Sequence, residues 1–268
     1  MNPGERLNYG WRVFATGLAF ATFGIGGLLM SVTVFPLAAL VSPRTATRKR
    51  RMQWLLHGTW RLFVWFMKSL GLLSWELHGR ERLLQPGRLI VANHPSLIDV
   101  VFLISFIPRV DCIVKPAILS NPFMLPARWA GYIADRSAEQ LVDDCAATLK
   151  AGNSLLIFPE GTRTKPGRPI TMRRGAAQIA LAAGCEILPV TIRVAPPTLT
   201  KGEPWYRIPP RPVHYVLHVG EPMTPESGRS QPSPIAARHL TQELERYFTE
   251  SLRRLGDASH SATSAPAV

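Results

Sequence analysis

Arg88-Leu89-Ile90-Val91-Ala92-Asn93-His94-Pro95-Ser96-Leu97-Ile98-Asp99 is an apolar run that breaks into a polar turn. The run reads as a short buried strand over 88–92, and Pro95 suits the first position of a helix, so the stretch predicts a strand, a turn and a helix over 96–106. The turn carries an imidazole and, five positions on, a carboxylate. A neutral histidine takes a proton from a hydroxyl only if its accepting nitrogen points outward. A carboxylate on the other ring nitrogen fixes that tautomer and stabilises the imidazolium that forms. Five residues on a regular helix are about 140° apart, so His94 and Asp99 meet only if His94 lies outside the first turn.

Working outward, a second strand over 154–158 runs into Pro159-Glu160-Gly161-Thr162-Arg163-Thr164-Lys165. An arginine, threonine hydroxyls and free amides at a glycine turn together suit an anion such as a phosphate. Further short apolar runs predict strands over 75–78, 111–114, 132–134, 187–194 and 215–219, and helical stretches lie over 138–151 and 174–183. Such alternation predicts an α/β fold, a mixed, largely parallel sheet flanked by helices. Sites in these sheets lie beyond the carboxyl ends of the strands, where His94 and Glu160 both fall.

At these residues the chain resembles the glycerolipid acyltransferases of the 1-acyl-glycerol-3-phosphate acyltransferase type. The first block, Asn93-His94-Pro95-Ser96 with Asp99, and the third, Phe158-Pro159-Glu160-Gly161-Thr162-Arg163, are intact. The second, Ala130-Gly131-Tyr132-Ile133-Ala134-Asp135-Arg136, departs from the usual pattern, which has its glycine one place earlier and a Phe-Ile pair before the arginine. The fourth, Ile187-Leu188-Pro189-Val190-Thr191, fits, as do Lys115, Pro122 and Arg174-Gly175-Ala176 in the connecting segments. The resemblance covers residues 75–225. It implies that His94 is a general base oriented by Asp99, and that Glu160, Gly161, Thr162 and Arg163, with Lys115 and Arg136, hold the acceptor. The implied reaction is attack of a lysophospholipid hydroxyl on an acyl thioester, from acyl-CoA or acyl carrier protein, with no covalent acyl-enzyme and no cofactor. A non-catalytic lipid-binding protein on the same scaffold, or an acyltransferase for a specialised lipid, is the alternative.

The amino-terminal segment points to a membrane. Residues 13–41 contain no charged side chain, and as a helix they would be about 43 Å long against a hydrocarbon core of about 30 Å. They suit either a spanning helix or, because Gly24, Gly26, Gly27 and Pro36 interrupt them, a kinked or re-entrant hairpin. A cleaved signal peptide is disfavoured by the length of the stretch. Residues 1–75 carry nine Lys or Arg against one Glu. The Arg48-Lys49-Arg50-Arg51 cluster suits anionic membrane lipids, and it predicts that the chain after residue 44 lies on the cytoplasmic side of the inner membrane. Residues 52–71 read as an amphipathic interfacial helix, with five of seven tryptophans at or before residue 75. No nucleic-acid recognition fold is evident beside this charge.

Three units are expected: a membrane-anchoring segment over 1–72, a catalytic domain over 73–225, and a C-terminal unit over 226–268 made of a helix (235–255) and a disordered tail from 256. Between the last strands, residues 196–212 hold six prolines and read as a loop, either a flap over an acyl channel or a rigid connection. Cys112, Cys145 and Cys185 are expected to be reduced core residues. No metal site is expected: His214 and His218 are about 13 Å apart on a strand. Ser96 and Ser105 lack the Gly-x-Ser-x-Gly turn that exposes a hydrolase nucleophile.

Overall fold

The computed structural model describes residues 2–120, 124–135, 137–225 and 233–263. In chain order the elements are α1 (Pro3–Ala21), a π-helical turn (Thr22–Gly26), α2 (Gly27–Val32), α3 (Val34–Leu40), α4 (Thr45–Ser69), β1 (Leu73–His78), α5 (Arg80–Leu83), β2 (Leu89–Ala92), α6 (Asp99–Phe106), β3 (Asp111–Val114), α7 (Pro116–Ser120), α8 (Leu125–Trp129), β4 (Ile133–Ala134), α9 (Ala138–Lys150), β5 (Leu155–Ile157), α10 (Gly175–Ala183), β6 (Ile187–Ala195), β7 (Val213–Val219) and α11 (Pro234–Thr263). The seven strands lie within two residues of their expected positions. They form one sheet in the order β1-β7-β6-β2-β5-β3-β4. Five pairings are parallel and β6 with β7 is antiparallel, the mixed, largely parallel arrangement the alternation predicts.

Strand parity distributes the core. In β2, Ile90 and Ala92 join Phe102, Leu103 and Tyr215 on the face covered by α4 and α6. Leu89 and Val91 join Ile179, Leu244 and Phe248 on the face covered by α9, α10 and α11. The central position of β2, between β5 and β6, puts the end of this strand over both layers.

Two expectations are corrected. Helix α6 starts at Asp99, not at Ser96, because the Asp99 carboxylate accepts the Ser96 N–H at 2.7 Å and closes a turn ahead of the helix. At the far end, α11 continues past Leu255 to Thr263, so 256–263 is helical where a disordered tail was expected. Arg253 bridges Glu250 at 3.0 Å and Asp257 at 3.1 Å, pairs at helical spacing that carry the helix onward. The rest of the expected tail, 264–268, lies outside the described residues, as do 226–232, Pro122 and Arg136.

Pro3–Leu40 is the one stretch among the described residues long and apolar enough to cross a membrane, with only 11% of its most apolar window buried. Its α-helical pattern is interrupted by the π-helical turn containing Gly24 and Gly26 and again at Thr33. It also lies antiparallel to α4. Trp11 Nε1 donates to the Leu70 carbonyl (3.0 Å), the Phe23 ring stacks on Trp60 (5.6 Å between centroids), the Thr59 hydroxyl meets the Met30 sulfur (3.6 Å), and Phe35 packs with Met52 and Leu56. The two segments are thus a helical hairpin. Helix α4 begins seven residues before the expected 52 and takes the basic cluster into its first turns. Its inner face packs on the core through Val64 and Met67, while Trp54, Leu62 and Trp65 stay exposed.

The cluster does not face lipid as a whole. Lys49 Nζ binds Asp111 Oδ2 at 2.7 Å, and Arg51 donates to Ser42 Oγ at 2.6 Å. Asp111, wholly buried, also accepts from Gln53 Nε2 at 2.6 Å, and Gln53 donates in turn to the Ala130 carbonyl at 3.0 Å. This network pins α4 to β3. Removing one partner strands a buried charge, so Lys49→Met should lower unfolding stability by about 3 kcal/mol, whereas Lys49→Met with Asp111→Leu should recover most of the loss. Denaturant titration of the detergent-solubilised protein checks this. Equal loss in both variants would assign the effect to packing.

Candidate active site

The loop after β2 is built by hydrogen bonds to its own backbone. Asn93 pairs with Ile192 of β6 through both side-chain groups: Nδ2 donates to the carbonyl at 2.8 Å and Oδ1 accepts the N–H at 2.6 Å. The side chain thereby extends the β2 and β6 ladder by one rung. The next amide, His94 N–H, donates to Glu160 Oε1 at 2.6 Å, and the His94 carbonyl accepts from Thr164 N–H at 3.0 Å. First and third blocks, 66 residues apart, are thus joined on both sides of His94.

His94 Nδ1 lies 2.8 Å from Asp99 Oδ2. A carboxylate only accepts, so Nδ1 carries the proton and Nε2 is left as the basic nitrogen. His94 stands five residues ahead of the first residue of α6, which removes the 140° obstacle. Its side chain is 17% exposed and that of Asp99 0%, so the imidazole is reachable and its partner is dry. Phe158 packs against the imidazole at 4.5 Å between centroids. Behind it, Tyr215 donates to Ser96 Oγ at 2.9 Å and stacks on Phe102.

Both acids of the site are held away from water. Burial pushes the Asp99 carboxyl above the usual carboxylate range, against the pull of the His94 hydrogen bond and charge, the Ser96 N–H and the Arg163 charge. Burial likewise pushes Glu160 up to about 7, with the Asp99 charge adding to it and His94 opposing it. Among the described residues Glu160 Oε2 has no hydrogen-bond partner. Glu160 therefore faces inward as a brace for the His94 loop.

The other expected site residues divide. Gly161 has φ +67°, and a Cβ there would stand 2.7 Å from the Arg173 guanidinium, so only glycine fits the turn. Thr162 is exposed. Arg163 is close enough to act on Asp99 by charge, but its Nη1 donates to the Leu199 carbonyl at 2.7 Å. Lys115 follows the carboxyl end of β3 and is exposed on that edge of the sheet. The sequence reading missed the Asn93 rung and the Phe158 packing. Asn immediately before the histidine and Phe at the strand end were the only signals for them. Among the described residues no cluster of three His, Cys, Asp or Glu side chains could hold a metal. The three cysteines are free thiols, with Cys112 and Cys145 buried and Cys185 partly so.

Two cavities flank the His94 loop. One of about 290 Å³ is walled by Asn93, Pro95 and Glu160 and rimmed by Thr164, Lys165 and Arg168. The other, about 320 Å³ and predominantly apolar, lies between the hairpin and the sheet, with Phe20, Phe63, Met67, Leu97, Val101 and Tyr215 in its wall. A volume of that size is at the lower end of ligand sites.

Three comparisons bear on this geometry. Residues 74–193, from β1 into β6, match the family model Acyltransferase. The chain is 28% identical over 179 residues to the 1-acyl-sn-glycerol-3-phosphate acyltransferase of Pseudomonas aeruginosa, covering 61% of this chain and 67% of that one. It is 29% identical over 201 residues to the enzyme of that name from Saccharomyces cerevisiae, covering 70% of this chain and 61% of that one. The crystal structure of the 1-acyl-sn-glycerophosphate acyltransferase PlsC from Thermotoga maritima superposes with a TM-score of 0.70 at 18% identity, covering 93% of this chain and 97% of that one, which fixes the shared fold. The matched region holds the first, third and fourth blocks, so residues 74–193 are similar to the acyltransferase family.

Proposed function

We propose that this chain is a membrane-bound O-acyltransferase that moves a fatty acyl group from an acyl thioester to the free hydroxyl of a lysophospholipid such as 1-acyl-glycerol-3-phosphate. The reading is carried by the His94 to Asp99 contact at 2.8 Å, with Nε2 as the basic nitrogen, on a loop beside an apolar cavity. It is supported by the names of the relatives in Pseudomonas and yeast. His94 Nε2 takes the proton of the acceptor hydroxyl as its oxygen attacks the thioester carbonyl. The tetrahedral adduct collapses by breaking the carbon–sulfur bond, and the imidazolium returns its proton to the departing thiolate. Asp99 stabilises the imidazolium between these steps. The apolar cavity takes the acyl chain. Arg163, with the Gly161–Thr162 turn and Lys115, supplies the positive and N–H groups for the acceptor phosphate. Arg136, in the second block, has the same role in this reading. The donor is acyl-CoA or acyl carrier protein.

The hairpin of α1–α3 with α4 supports a re-entrant anchor over a single span, since α4 accompanies the apolar segment along its length. In this reading the three expected units, 1–72, 73–225 and 226–268, remain functional divisions. The catalytic domain sits on the cytoplasmic face of the inner membrane, against anionic lipid.

Purified protein given lysophosphatidate and acyl-CoA or acyl carrier protein thioester should release thiol with transfer of the chain. A protein that only binds the lipid would release none. His94→Ala should lower turnover by about 10²–10⁴-fold with folding intact. Asp99→Asn should also lower kcat, because the amide can donate to Nδ1 and favour the wrong tautomer. Near-normal rates in either variant would remove the base assignment.

Glu160 adds a pH dependence. It titrates near 7 in the fold and at about 4.3 in the unfolded chain. Between those values the folded protein holds a proton that the unfolded chain has lost, so stability falls as pH rises. Glu160→Gln should abolish that contribution, so the melting temperature of the variant gains on wild type from about pH 4 to 7. A difference that stays flat with pH would show that Glu160 is not the titrating group.

A further inference from the structure

The 196–212 segment crosses the apolar cavity, whose wall includes its Leu199, Trp205, Ile208 and Pro209. Two arginines hold it from opposite sides. Arg163, in the third block, donates Nη1 to the carbonyl of Leu199 at 2.7 Å, with Thr200 at 3.4 Å. Arg12, on the apolar helix α1 and only 4% exposed, donates Nη1 to the Pro209 carbonyl at 2.8 Å and Nη2 to Pro210 at 2.6 Å. Trp205 lies against α1, 5.4 Å from the Phe20 ring and 3.6 Å from where a Cβ on Gly17 would stand. The strap is therefore tied to the membrane helix at one end and to the proposed phosphate-binding arginine at the other.

Its outer surface has a second character. Tyr206 is 59% exposed and Trp205 43%, and Lys201, Arg207 and Arg211 are exposed along the same segment. Aromatic and basic side chains together suit the headgroup level of an anionic bilayer. Continuity with α1, which exposes Leu7, Phe14 and Leu18, carries the same surface across to the anchor. At the latch, Leu199 has φ +50°, the one non-glycine residue with positive φ among the described residues. A leucine there is strained, and the Arg163 bond fixes the carbonyl of that residue.

We propose that residues 196–212 form a lid that rests on anionic lipid and covers the acyl cavity, latched by Arg163 and released when an acceptor phosphate takes that guanidinium. A charge-assisted bond to phosphate outcompetes one to a neutral carbonyl, so arrival of the acceptor loosens the cover through which the acyl chain passes between bilayer and cavity. What enters the cavity rests on the acyl-transfer reading. Where the strap lies does not.

Hydrogen exchange on the full chain, in nanodiscs of phosphatidylcholine alone or mixed equally with phosphatidylglycerol, tests both parts. Exchange across 196–212 should slow with the anionic lipid, and the variant Lys201→Glu, Arg207→Glu, Arg211→Glu should lose that difference. Saturating lysophosphatidate should quicken exchange around Leu199–Lys201. In turnover, the triple variant should raise KM for a long-chain acyl-CoA in anionic vesicles by about ten-fold or more. Its kcat with water-soluble hexanoyl-CoA should stay at the wild-type value. Exchange that ignores lipid charge, or slows with lysophosphatidate, would overturn the lid, as would equal losses on the two thioesters. Should the wild type transfer no acyl group at all, the exchange arms would still judge the strap while the acyl-transfer reading alone fell.

Discussion

A loop that leaves the carboxyl end of a central buried strand has lost its neighbours in the ladder, and its amides must find other acceptors. Here the His94 N–H finds Glu160, at 2.6 Å, and the rest of the site depends on that bond. It fixes the third block against the first and sets the height of the imidazole over the sheet. The Asn93 rung to Ile192 and the Asp99 bond to the Ser96 amide complete the same accounting. The residues a chemical reading singles out as catalytic or phosphate-binding also keep this backbone satisfied. A substitution at Glu160 therefore disturbs position before it disturbs charge. Loss of a hydrogen bond to a charged group costs about 1.5–3 kcal/mol, a large share of the stability of a small domain.

Placing two dry carboxylates beside one imidazole is expensive, and the structure shows how the cost is contained. Asp99 is offset by a ring N–H, a backbone N–H and the charges of His94 and Arg163, whereas Glu160 has one amide and the His94 charge and is driven to about 7. Burial raises both acids, and the one touching the imidazole has more groups opposing that rise. An acid beside His94 Nδ1 that stayed neutral would leave the tautomer undecided.

The sheet was legible because its signal is local: seven short apolar runs, each bounded by polar or glycine-containing turns, each within two residues of the strand it became. The contact between His94 and Asp99 was legible because an imidazole and a carboxylate at that spacing can meet across a turn. Contacts made through main-chain carbonyls were not. Nothing in the residue types of Leu199 or Pro209 announces that their carbonyls will hold Arg163 and Arg12. The start of α6 was misplaced because Pro95 is as acceptable in the turn as at a helix start, and the Asp99 side chain decides between them. Lys49 was read with its cluster, since only the fold reveals that one member of four reaches a buried aspartate on β3.

The same kind of long-range contact packs the amino-terminal hairpin onto the core of the sheet. Ala19 and the hairpin residues Val64 and Met67 belong to the core of the sheet, and Arg12, Phe20 and Phe63 wall the apolar cavity. Helix α1 thus both exposes Leu7, Phe14 and Leu18 and forms one wall of the apolar cavity. A fatty chain arriving from the bilayer would meet the protein first along this helix, whose apolar surface continues into the cavity wall. In the proposed anchoring, α1 sets where the cavity opens relative to the membrane, while His94 stays reachable on one side and dry on the side of Asp99.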